Sequence, residues 1–330
     1  MNLVEAWYGP RWRLSGLWPL HLLMRVLVTL RRTLYRVHLL PSQHPGIPVI
    51  VVGNIAVGGT GKTPLVHWLV DQLRAQGWRP GIVSRGYGGR AEHYPCEVQP
   101  DSAATAVGDE PLLLKRLTGA PVVVDPQRAR AARYLRECGC DIVLSDDGLQ
   151  HYALRRDIEI VVIDAVRQLG NGWLMPAGPL RELPARLRTV SLVVGNGAAI
   201  PGLAAHEMRL SLRQCLPVSG HGEPRQLSDF AGQTVHAVAG IGNPARFFAS
   251  LRAAGLRVIE HPFPDHHAYQ AADLPWQDAP VLMTEKDAVK CAGFAVPQQW
   301  FVRIGAELDS EFSLQLERHL RALRQGVSHG

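Results

Sequence analysis

The sequence predicts an α/β fold in which helices flank a mostly parallel sheet, followed by a second, smaller α/β domain. Short runs of valine, isoleucine and leucine alternate with amphipathic segments, and such apolar runs are typical of strands covered on both faces. The alternation loosens over residues 203–224 and resumes at "TVHAVAGIG". We therefore expect an N-terminal segment over 1–45, a main domain over 46–225 and a smaller domain over 226–330.

The strands and helices of the main domain follow from this alternation. The predicted strands cover residues 49–53, 81–84, 121–124, 141–145, 158–164 and 190–195. Helices are predicted over 63–76 and 127–138, because each amphipathic stretch is followed by a glycine, the residue that most often ends a helix.

The N-terminal segment is both apolar and basic. Residues 7–40, "WYGPRWRLSGLWPLHLLMRVLVTLRRTLYRVHLL", interleave tryptophan and leucine with arginine. A membrane-spanning helix needs about 20 apolar residues, whereas the uncharged run 14–24 is shorter and contains Pro19 and His21. We expect a helix that lies on a membrane surface. The alternative is an amphipathic helix packed on the protein with a basic solvent face.

Charge and cysteine content narrow the possible partners. The formal net charge of +6 rests almost wholly on arginine. Such a balance suits nucleic acid, anionic lipid or a phosphorylated substrate, but neither a zinc finger nor an RNA-binding signature is present, so we expect no nucleic acid. The five cysteines form no C-x-x-C pair, and no secretory signal is recognised, so we expect a reducing cytoplasm.

A glycine-rich loop lies between the first predicted strand and helix. Residues 56–63, "AVGGTGKT", match the pattern G-x-x-x-x-G-K-S/T except at Ala56. We expect the three glycines to turn successive amides toward an anion, Lys62 to reach the β and γ phosphates and Thr63 to bind Mg²⁺. This indicates a P-loop NTPase-like fold; the alternative is a glycine-rich turn with an incidental lysine. The expected nucleotide-binding residues are Ala56, Val57, Gly58, Gly59, Thr60, Gly61, Lys62 and Thr63.

Acidic residues follow one of the apolar strands. Asp146 and Asp147 stand just after the strand predicted over 141–145, at the edge where ligands bind in open α/β sheets. Adjacent carboxylates repel each other unless a cation is present, so the pair favours a Mg²⁺ site. A turn with an Asp-Gly signal is the alternative.

A second acidic pair stands before a predicted helix in "AVGDEPLLL". Asp109 either caps this helix or accepts the proton of an acceptor hydroxyl, as a kinase base does. The stretch "FPDHHAY" supplies His266 and His267, either of which could orient that base or share its proton. A solvated loop is the alternative for this histidine pair.

Two loops rich in arginine and glycine, "SRGYGGR" and "GNGWLMPAGPLRE", also follow strand ends. We expect Arg85 and Arg181 to hold phosphate or to stabilise transition-state charge, although solvated arginines are the alternative. The expected substrate-binding residues are Arg85, Gly86, Tyr87, Gln150, His151 and Asn171.

Seven stretches in this order, "VGNIAVGGTGKTP", "SRGYGG", "VGDEP", "SDDGLQH", "GNGWLMPAGPLRE", "FPDHH" and "TEKDAVK", resemble the tetraacyldisaccharide 4'-kinase family. The likeness runs from about residue 5 to 305. It implies transfer of the γ-phosphate of ATP to the 4' hydroxyl of a tetraacylated glucosamine disaccharide 1-phosphate, giving lipid IVA for lipid A. It also implies a lipid-linked substrate and work at the cytoplasmic face of the inner membrane, and we expect a monomer.

The resemblance also implies roles for individual residues. Asp109 would be the catalytic base, paired with His266, and Ala56 is ordinary for the family. Glu110, Asp146 and Asp147 would serve the Mg²⁺ and phosphate environment, and Arg181 would lie near the transferred group. The expected catalytic residues are Lys62, Asp109, Asp147, Arg181 and His266.

Two other functions fit the phosphate loop, because it identifies only a nucleotide-binding protein. One is a kinase for a soluble sugar or metabolite, with the N-terminal helix merely packed. The other is a membrane-associated P-loop NTPase switch, which hydrolyses nucleotide to change partners.

Overall fold

The computed structural model describes residues 3–200, 202, 203 and 205–327. The α-helices are α1 (Leu3–Ala6), α2 (Trp18–Arg36), α3 (Lys62–Ala75), α4 (Ala104–Val107), α5 (Asp109–Thr118), α6 (Arg128–Glu137), α7 (Pro244–Ala253), α8 (Glu285–Cys291) and α9 (Ser310–Val327). The strands are β1 (Val49–Gly53), β2 (Pro80–Ser84), β3 (Cys96–Glu97), β4 (Val122–Val124), β5 (Ile142–Asp146), β6 (Ile158–Asp164), β7 (Leu192–Asn196), β8 (His206–Pro217), β9 (Arg225–Gln226), β10 (Thr234–Ala239), β11 (Arg257–Pro262), β12 (Val281–Thr284) and β13 (Gln299–Leu308). Short 3₁₀ helices cover Arg11–Leu17, Pro184–Thr189, Leu227–Phe230, Ala271–Asp273 and Ala292–Phe294.

The chain forms two compact units. The first comprises the residues up to Arg85, Ala120–Arg209 and the residues from Glu307 onward, and the second comprises Gly86–Gly119 and Leu210–Ala306. The predicted ranges 46–225 and 226–330 therefore divide the chain differently. The reason is that α5 packs against α8 in the second unit, whereas Phe312 of α9 contacts Trp68 of α3 in the first. The local sequence pattern does not show that a helix packs against another helix far away in the chain.

The first unit is built on a parallel sheet. Its strands lie in the order β8, β7, β6, β1, β5, β2, β4, and each neighbouring pair is parallel. Val52 of β1 lies opposite Asp146 of β5 and Ile160 of β6, so the carboxyl ends of these strands lie side by side. The prediction of a mostly parallel sheet flanked by helices is confirmed.

The central strand β1 is buried on both faces, because all five of its residues are buried. Val49 and Val51 pack in one apolar cluster with Ala132 and Leu135 of α6. The helix α3, which follows β1, buries a stripe of apolar residues at helical spacing, namely Leu65, Val66, Leu69, Val70 and Leu73. This packing fixes the start of α3 at the end of β1.

The second unit has its own parallel strands, in the order β11, β10, β12, β13. Phe247, Phe248 and Leu251 of α7 pack with Val235 and Ala237 of β10 in an apolar core. The later part of β8 pairs with β9 in an antiparallel manner. Among the described residues, this apolar core is formed by side chains of the second unit.

The N-terminal segment is held to the first unit by hydrogen bonds to the main chain of a loop over residues 170–182. Trp7 donates from Nε1 to the Pro176 carbonyl at 3.0 Å, and Arg11 donates from Nε to the Asn171 carbonyl at 2.7 Å. His21 is buried, and its Nδ1 accepts the amide of Leu174 at 3.0 Å. The inner side of this segment thus packs as an ordinary amphipathic helix does.

The outer side of α2 is apolar and exposed. Its large apolar residues have exposed fractions from 42% to 62%, and they are Leu20, Leu23, Val26, Leu27 and Leu30. At 100° per residue these side chains share one face. Arg31 lies beside that face, Arg36 is the last residue of the helix, and both arginines are exposed. Among the described residues, no helix combines the length and apolar character needed to cross a bilayer.

Candidate active site

The phosphate loop leads from β1 into α3, whose first residue is Lys62. Gly58 and Gly61 have φ angles of +111° and +89°, a region in which other residues are strained. Gly59 does not adopt a positive φ, contrary to our expectation that all three glycines share this role. The turn of the loop therefore depends on two glycines.

Ala56, in place of the first glycine of the pattern, is paired as a strand residue is. It forms an antiparallel bridge with Leu180, and the amide of Val57 donates to the Pro179 carbonyl at 2.8 Å. The side chain of Ala56 is buried beside Leu174 and Leu180. Because its φ is not positive, an alanine fits without strain.

Two asparagines brace the loop. Asn54 is fully buried, and its Nδ2 donates to the Gly58 carbonyl at 3.3 Å. Asn196, the last residue of β7, donates from Nδ2 to the Thr60 carbonyl at 2.9 Å. These bonds use carbonyls of the loop, so they take up none of the amides that could face an anion.

Asp147 lies between two cations. Its Oδ1 is 3.5 Å from Lys62 Nζ, and its Oδ2 accepts a hydrogen bond from Arg181 at 2.9 Å. Burial alone would raise the pKa of Asp147, but Lys62 and Arg181 outweigh it and lower the pKa to about 2. Asp147 also has a φ of +46°, which a non-glycine residue adopts rarely. The carboxylate is therefore charged and tightly positioned.

Asp146 is almost fully buried at the end of β5, and a buried arginine lies close by. Arg128 donates to the Ser145 hydroxyl at 3.2 Å, and burial lowers its pKa to about 10 despite the nearby aspartates. Burial and, next, the charge of Arg128 lower the pKa of His151 to about 4. His151 is therefore a neutral imidazole at pH 7.

The other predicted residues of the first unit have varied surroundings. Thr63 is the second residue of α3, and Gln150 donates from Nε2 to the Asn54 carbonyl at 2.9 Å. Arg85 follows β2 and is exposed. Asn171 is buried, with Nδ2 donating to the Ala177 carbonyl and Oδ1 accepting the Trp173 amide. Its side chain is thus engaged within its own loop.

The second unit contains a buried carboxylate paired with a histidine. Asp109 is the first residue of α5, and the N-cap position is Gly108. Asp109 Oδ1 accepts the amide of Glu110 at 2.9 Å, and Oδ2 lies 3.0 Å from His266 Nδ1. His266 has a φ of +62°, so its backbone, like that of Asp147, lies in a rarely populated region. The pair joins positions that are 157 residues apart.

His267 faces away from this pair, because its Nε2 lies 3.1 Å from Asp273 Oδ2 and its ring contacts Phe263. The exposed ring of Tyr87 lies 5.5 Å from the ring of His266, and Gly86 before it is buried with a φ of +71°. The structure therefore brings His266, and not its neighbour, to Asp109.

Lys286 lies against the same pair, at the start of α8. Its Nζ is 3.2 Å from Glu110 Oε1, 3.1 Å from Asp265 Oδ1 and 3.4 Å from His266 Nε2. Burial disfavours the charge of Lys286, but Glu110, Asp109 and Asp265 outweigh it and raise its pKa. The ammonium is therefore permanently charged at neutral pH.

The expected Mg²⁺ ligands of the first unit are Thr63, Asp146 and Asp147. Asp147 Oδ1 is buried and accepts no hydrogen bond within the described residues. Among these residues no group of three or more His, Cys, Asp or Glu side chains is arranged to hold a metal. Two carboxylates and a hydroxyl fit Mg²⁺, which keeps waters and binds substrate phosphates as well. Glu110 belongs to the second unit and pairs with Lys286.

The sequence patterns do not single out four residues of these surroundings: Asn54, Arg128, Asn196 and Lys286. Asn54 and Asn196 directly end or follow apolar strands, as Asp146 does, and that position was a usable signal. Lys286 is one of only four lysines in the chain. Arg128 carried no signal, because it is one arginine among many at the start of an amphipathic helix.

The family described as "Tetraacyldisaccharide-1-P 4'-kinase" matches residues 14–321. The chain belongs to this family. A tetraacyldisaccharide 4'-kinase from Alkalilimnicola ehrlichii is 52% identical over 315 residues, which cover 95% of both chains. Another, from Methylobacillus flagellatus, is 51% identical over 327 residues, covering 98% of this chain and 97% of that one.

A solved structure of the tetraacyldisaccharide 4'-kinase family is also similar. The crystal structure of LpxK from Aquifex aeolicus in complex with ATP, described as its "apo" form, superposes with a TM-score of 0.81. It is 27% identical in sequence and matches over 94% of this chain and 99% of that chain. The resemblance drawn from the seven motifs is confirmed.

Proposed function

We propose that this chain transfers the γ-phosphate of ATP to the 4' hydroxyl of a tetraacylated glucosamine disaccharide 1-phosphate, forming lipid IVA. The observation that carries the proposal is the buried Asp109 carboxylate oriented by His266. A hydrolytic switch needs a phosphate loop, whereas transfer to a sugar hydroxyl also needs a group that accepts the hydroxyl proton.

The phosphate loop supplies the first half of the chemistry. The positive end of α3 and the amides of the loop face the phosphates, and Lys62 neutralises their charge. Arg181 is positioned by its bond to Asp147, so that its guanidinium is available to the group being transferred. Mg²⁺, held by Thr63, Asp146 and Asp147, would neutralise the phosphate oxygens and help to align them.

Asp109 supplies the second half. Its Oδ1 and Oδ2 each accept one hydrogen bond, from the Glu110 amide and from His266, so the carboxylate has a single orientation. A carboxylate oxygen still has a lone pair for the hydroxyl proton of the sugar. His266 holds the Asp109 carboxylate in place and stabilises its negative charge.

The acyl chains of the substrate require the enzyme to work at a membrane, and α2 supports this. The exposed leucines and valines of its outer face suit the acyl boundary of a bilayer, and the flanking arginines suit lipid phosphates. We therefore place the protein on the cytoplasmic surface of the inner membrane, lying on the bilayer through α2.

One assay tests the proposed function. The purified chain is incubated with labelled ATP and the tetraacyldisaccharide 1-phosphate in mixed micelles, and we expect a bisphosphorylated lipid. The Lys62→Ala variant should give none, because the phosphates lose their cation. If the wild-type chain makes no such product, the proposal is wrong.

Two parallel reactions separate the alternatives. A kinase for soluble sugars would phosphorylate a glucosamine disaccharide without acyl chains as fast as the lipid. A nucleotide-dependent switch would hydrolyse ATP at the same rate with and without the lipid, and Asp109→Ala would leave that rate unchanged.

A further inference from the structure

Arg167 is a cation of the first unit that the proposed mechanism does not use, and it lies beside the phosphate loop. Its Nη1 is 3.4 Å from the point where a Cβ on Gly58 would stand. One small cleft is lined, among others, by Tyr8, Gly58, Gly59, Thr60 and Arg167. The guanidinium is therefore placed where an anion bound by the loop would attract it.

The sheet determines that Arg167 lies beside the loop. Its segment follows β6, which pairs with β1 in parallel, and the phosphate loop follows β1. Val161 of β6 lies opposite Gly53, the last residue of β1. Because the carboxyl ends of neighbouring parallel strands meet at one edge, the residues after β6 adjoin the residues after β1.

The turn that carries Arg167 is held by hydrogen bonds. Asp164, the buried last residue of β6, accepts the amides of Val166 and Arg167 on Oδ1, each at 2.9 Å. The Asp164 carbonyl accepts the amide of Gln168 at 2.7 Å, and the Arg167 carbonyl accepts the amide of Gly170 at 3.0 Å. The main chain at Arg167 therefore has a fixed position relative to the sheet.

Tyr8 orients the side chain of Arg167. The guanidinium carbon lies over the Tyr8 ring, 5.6 Å from its centre, in a cation–π contact. Tyr8 in turn packs in one apolar cluster with Val57 of the loop. Stacking uses the face of the guanidinium, whereas its five N–H donors point outward in its plane. A cation–π contact therefore orients the group without taking up a donor.

The charges of the phosphate loop leave room for a further cation. Lys62 and Arg181 both contact the carboxylate of Asp147, so part of their positive charge is already offset. Arg167 lies at Gly58, four residues before Lys62 in the loop. A phosphate chain held between these two positions would meet a cation near each of them.

We propose that Arg167 is a further nucleotide-binding residue, which donates hydrogen bonds to phosphate oxygens of ATP and is positioned for this by Tyr8 and Asp164. The inference rests on the proposed function, in which the phosphate loop binds ATP. It also gives the N-terminal segment a part in nucleotide binding, because Tyr8 belongs to that segment.

Isothermal titration of the full-length chain with ATP and Mg²⁺, without lipid, tests the proposal. We expect Arg167→Met to weaken ATP binding by about 10-fold to 100-fold, the usual cost of a lost hydrogen bond between charged groups. Arg167→Lys should recover part of this loss. Arg133→Met changes a half-buried arginine of α6 that donates to Gln43 at 2.8 Å, and this matched control should bind ATP as wild type does.

Two further readouts distinguish a phosphate contact from a packing defect. The ATP affinity of Arg167→Met should depend less on salt concentration than that of wild type, because one contact between charges is lost. Tyr8→Phe keeps the ring and should bind ATP as wild type does, whereas Tyr8→Leu should bind it more weakly. The double variant of Tyr8→Leu and Arg167→Met should bind no more weakly than Arg167→Met, since Tyr8 acts through Arg167.

A measurement on the wild-type chain does not depend on the folding of any variant. Phenylglyoxal modifies arginine side chains, and mass spectrometry of the peptides gives the rate at each position. We expect ATP, but not adenosine at the same concentration, to slow the modification of Arg167 and to leave that of Arg133 unchanged.

The proposal is wrong if ATP does not slow the modification of Arg167, or if Arg167→Met folds and binds ATP as tightly as wild type. A wild-type chain that binds no ATP would instead refute the proposed function. A chain that binds ATP through Arg167 but phosphorylates no lipid would refute the proposed lipid kinase activity and leave this inference standing.

Discussion

Asn196 Nδ2 donates to the Thr60 carbonyl at 2.9 Å and lies only 2.5 Å from where a Cβ on Gly61 would stand. Asn196, the last residue of β7, therefore packs against Gly61, the residue just before Lys62. Gly61 is required twice, for its φ of +89° and for the space that Asn196 occupies.

Gly61→Ala should therefore destabilise the fold by about 1–3 kcal/mol, the usual cost of a residue forced into such a conformation. It should also weaken ATP binding by at least about 10-fold, because the loop cannot keep both the turn and the Asn196 bond. Thermal unfolding and isothermal titration with ATP measure the two effects.

Gly59→Ala is the matched control, since Gly59 has no positive φ and, apart from its chain neighbours, no described residue has an atom within 4 Å of an added Cβ. It should fold with wild-type stability. An equal loss in both variants would mean that the strain at Gly61 is not the cause.

The lowered pKa of Asp147 predicts a pH-dependent stability. Because the pKa falls from its usual 3.8 to about 2, the folded chain holds fewer protons at this group than the unfolded chain does. The stabilisation is present above about pH 4 and is lost as the pH falls toward 2. We expect the free energy of unfolding of wild type to exceed that of Asp147→Asn by about 1–2 kcal/mol at pH 6, and by less at pH 3.

Urea unfolding of both chains from pH 6 to pH 3 measures this difference. Asp101→Asn, at an exposed position, is the control and should track wild type throughout. A gap between wild type and Asp147→Asn that stays constant over this range would contradict the assigned charge interactions.

The Asp109–His266 pair predicts non-additive kinetics. Asp109→Asn should lower kcat by about 10²-fold to 10⁴-fold, the usual worth of a general base, with ATP affinity retained. His266→Gln should cost less, because the carboxylate remains but is poorly oriented. The double variant should be no slower than Asp109→Asn, since both residues act through one group. Single-turnover transfer to the lipid measures all three, and independent, multiplying losses would argue against a shared role.

The outer face of α2 predicts how the protein meets a bilayer. Leu23→Asp with Leu27→Asp should lower partitioning onto phosphatidylglycerol-containing vesicles by at least about 10-fold, because two half-exposed leucines lose their apolar contact. Vesicle co-sedimentation measures the loss. Leu314→Asp, on α9 and equally exposed, should sediment as wild type does. If the double variant sediments with the vesicles as well as wild type does, the outer face of α2 is not the membrane-binding surface.

The features that could be predicted from the sequence are those that a local pattern of residues encodes. The strand before Lys62, the helix that begins there and the acids at the end of β5 were each predicted from periodicity or from a short motif. Lys62 and these acids lie at the carboxyl edge of the first sheet. The sequence pattern predicts residues 86–119 in the main domain, because they lie between two of its strands in the chain, whereas the structure has them in the second unit. Their packing partner, α8, lies far along the sequence, and no local pattern reports such a partner.

The distance between partners in the sequence also explains why local patterns do not single out Asn196 and Lys286. Asn196 acts through a main-chain carbonyl that lies 136 positions away, and Lys286 through residues up to 177 positions away. Single-sequence patterns report neighbours within a helix or strand. Only the fold brings such distant side chains together.

Because of the contacts that the N-terminal segment makes, deleting this segment would disturb more than membrane binding. Met24 and Val28 of α2 pack with Ala56, and Tyr8 packs in a cluster with Val57. Removing residues 1–40 would uncover the nucleotide loop at the same time as it removed the apolar outer face. A shortened chain that is both detached from membranes and inactive would therefore report two defects as one, and only substitutions confined to the outward leucines can tell anchoring from catalysis.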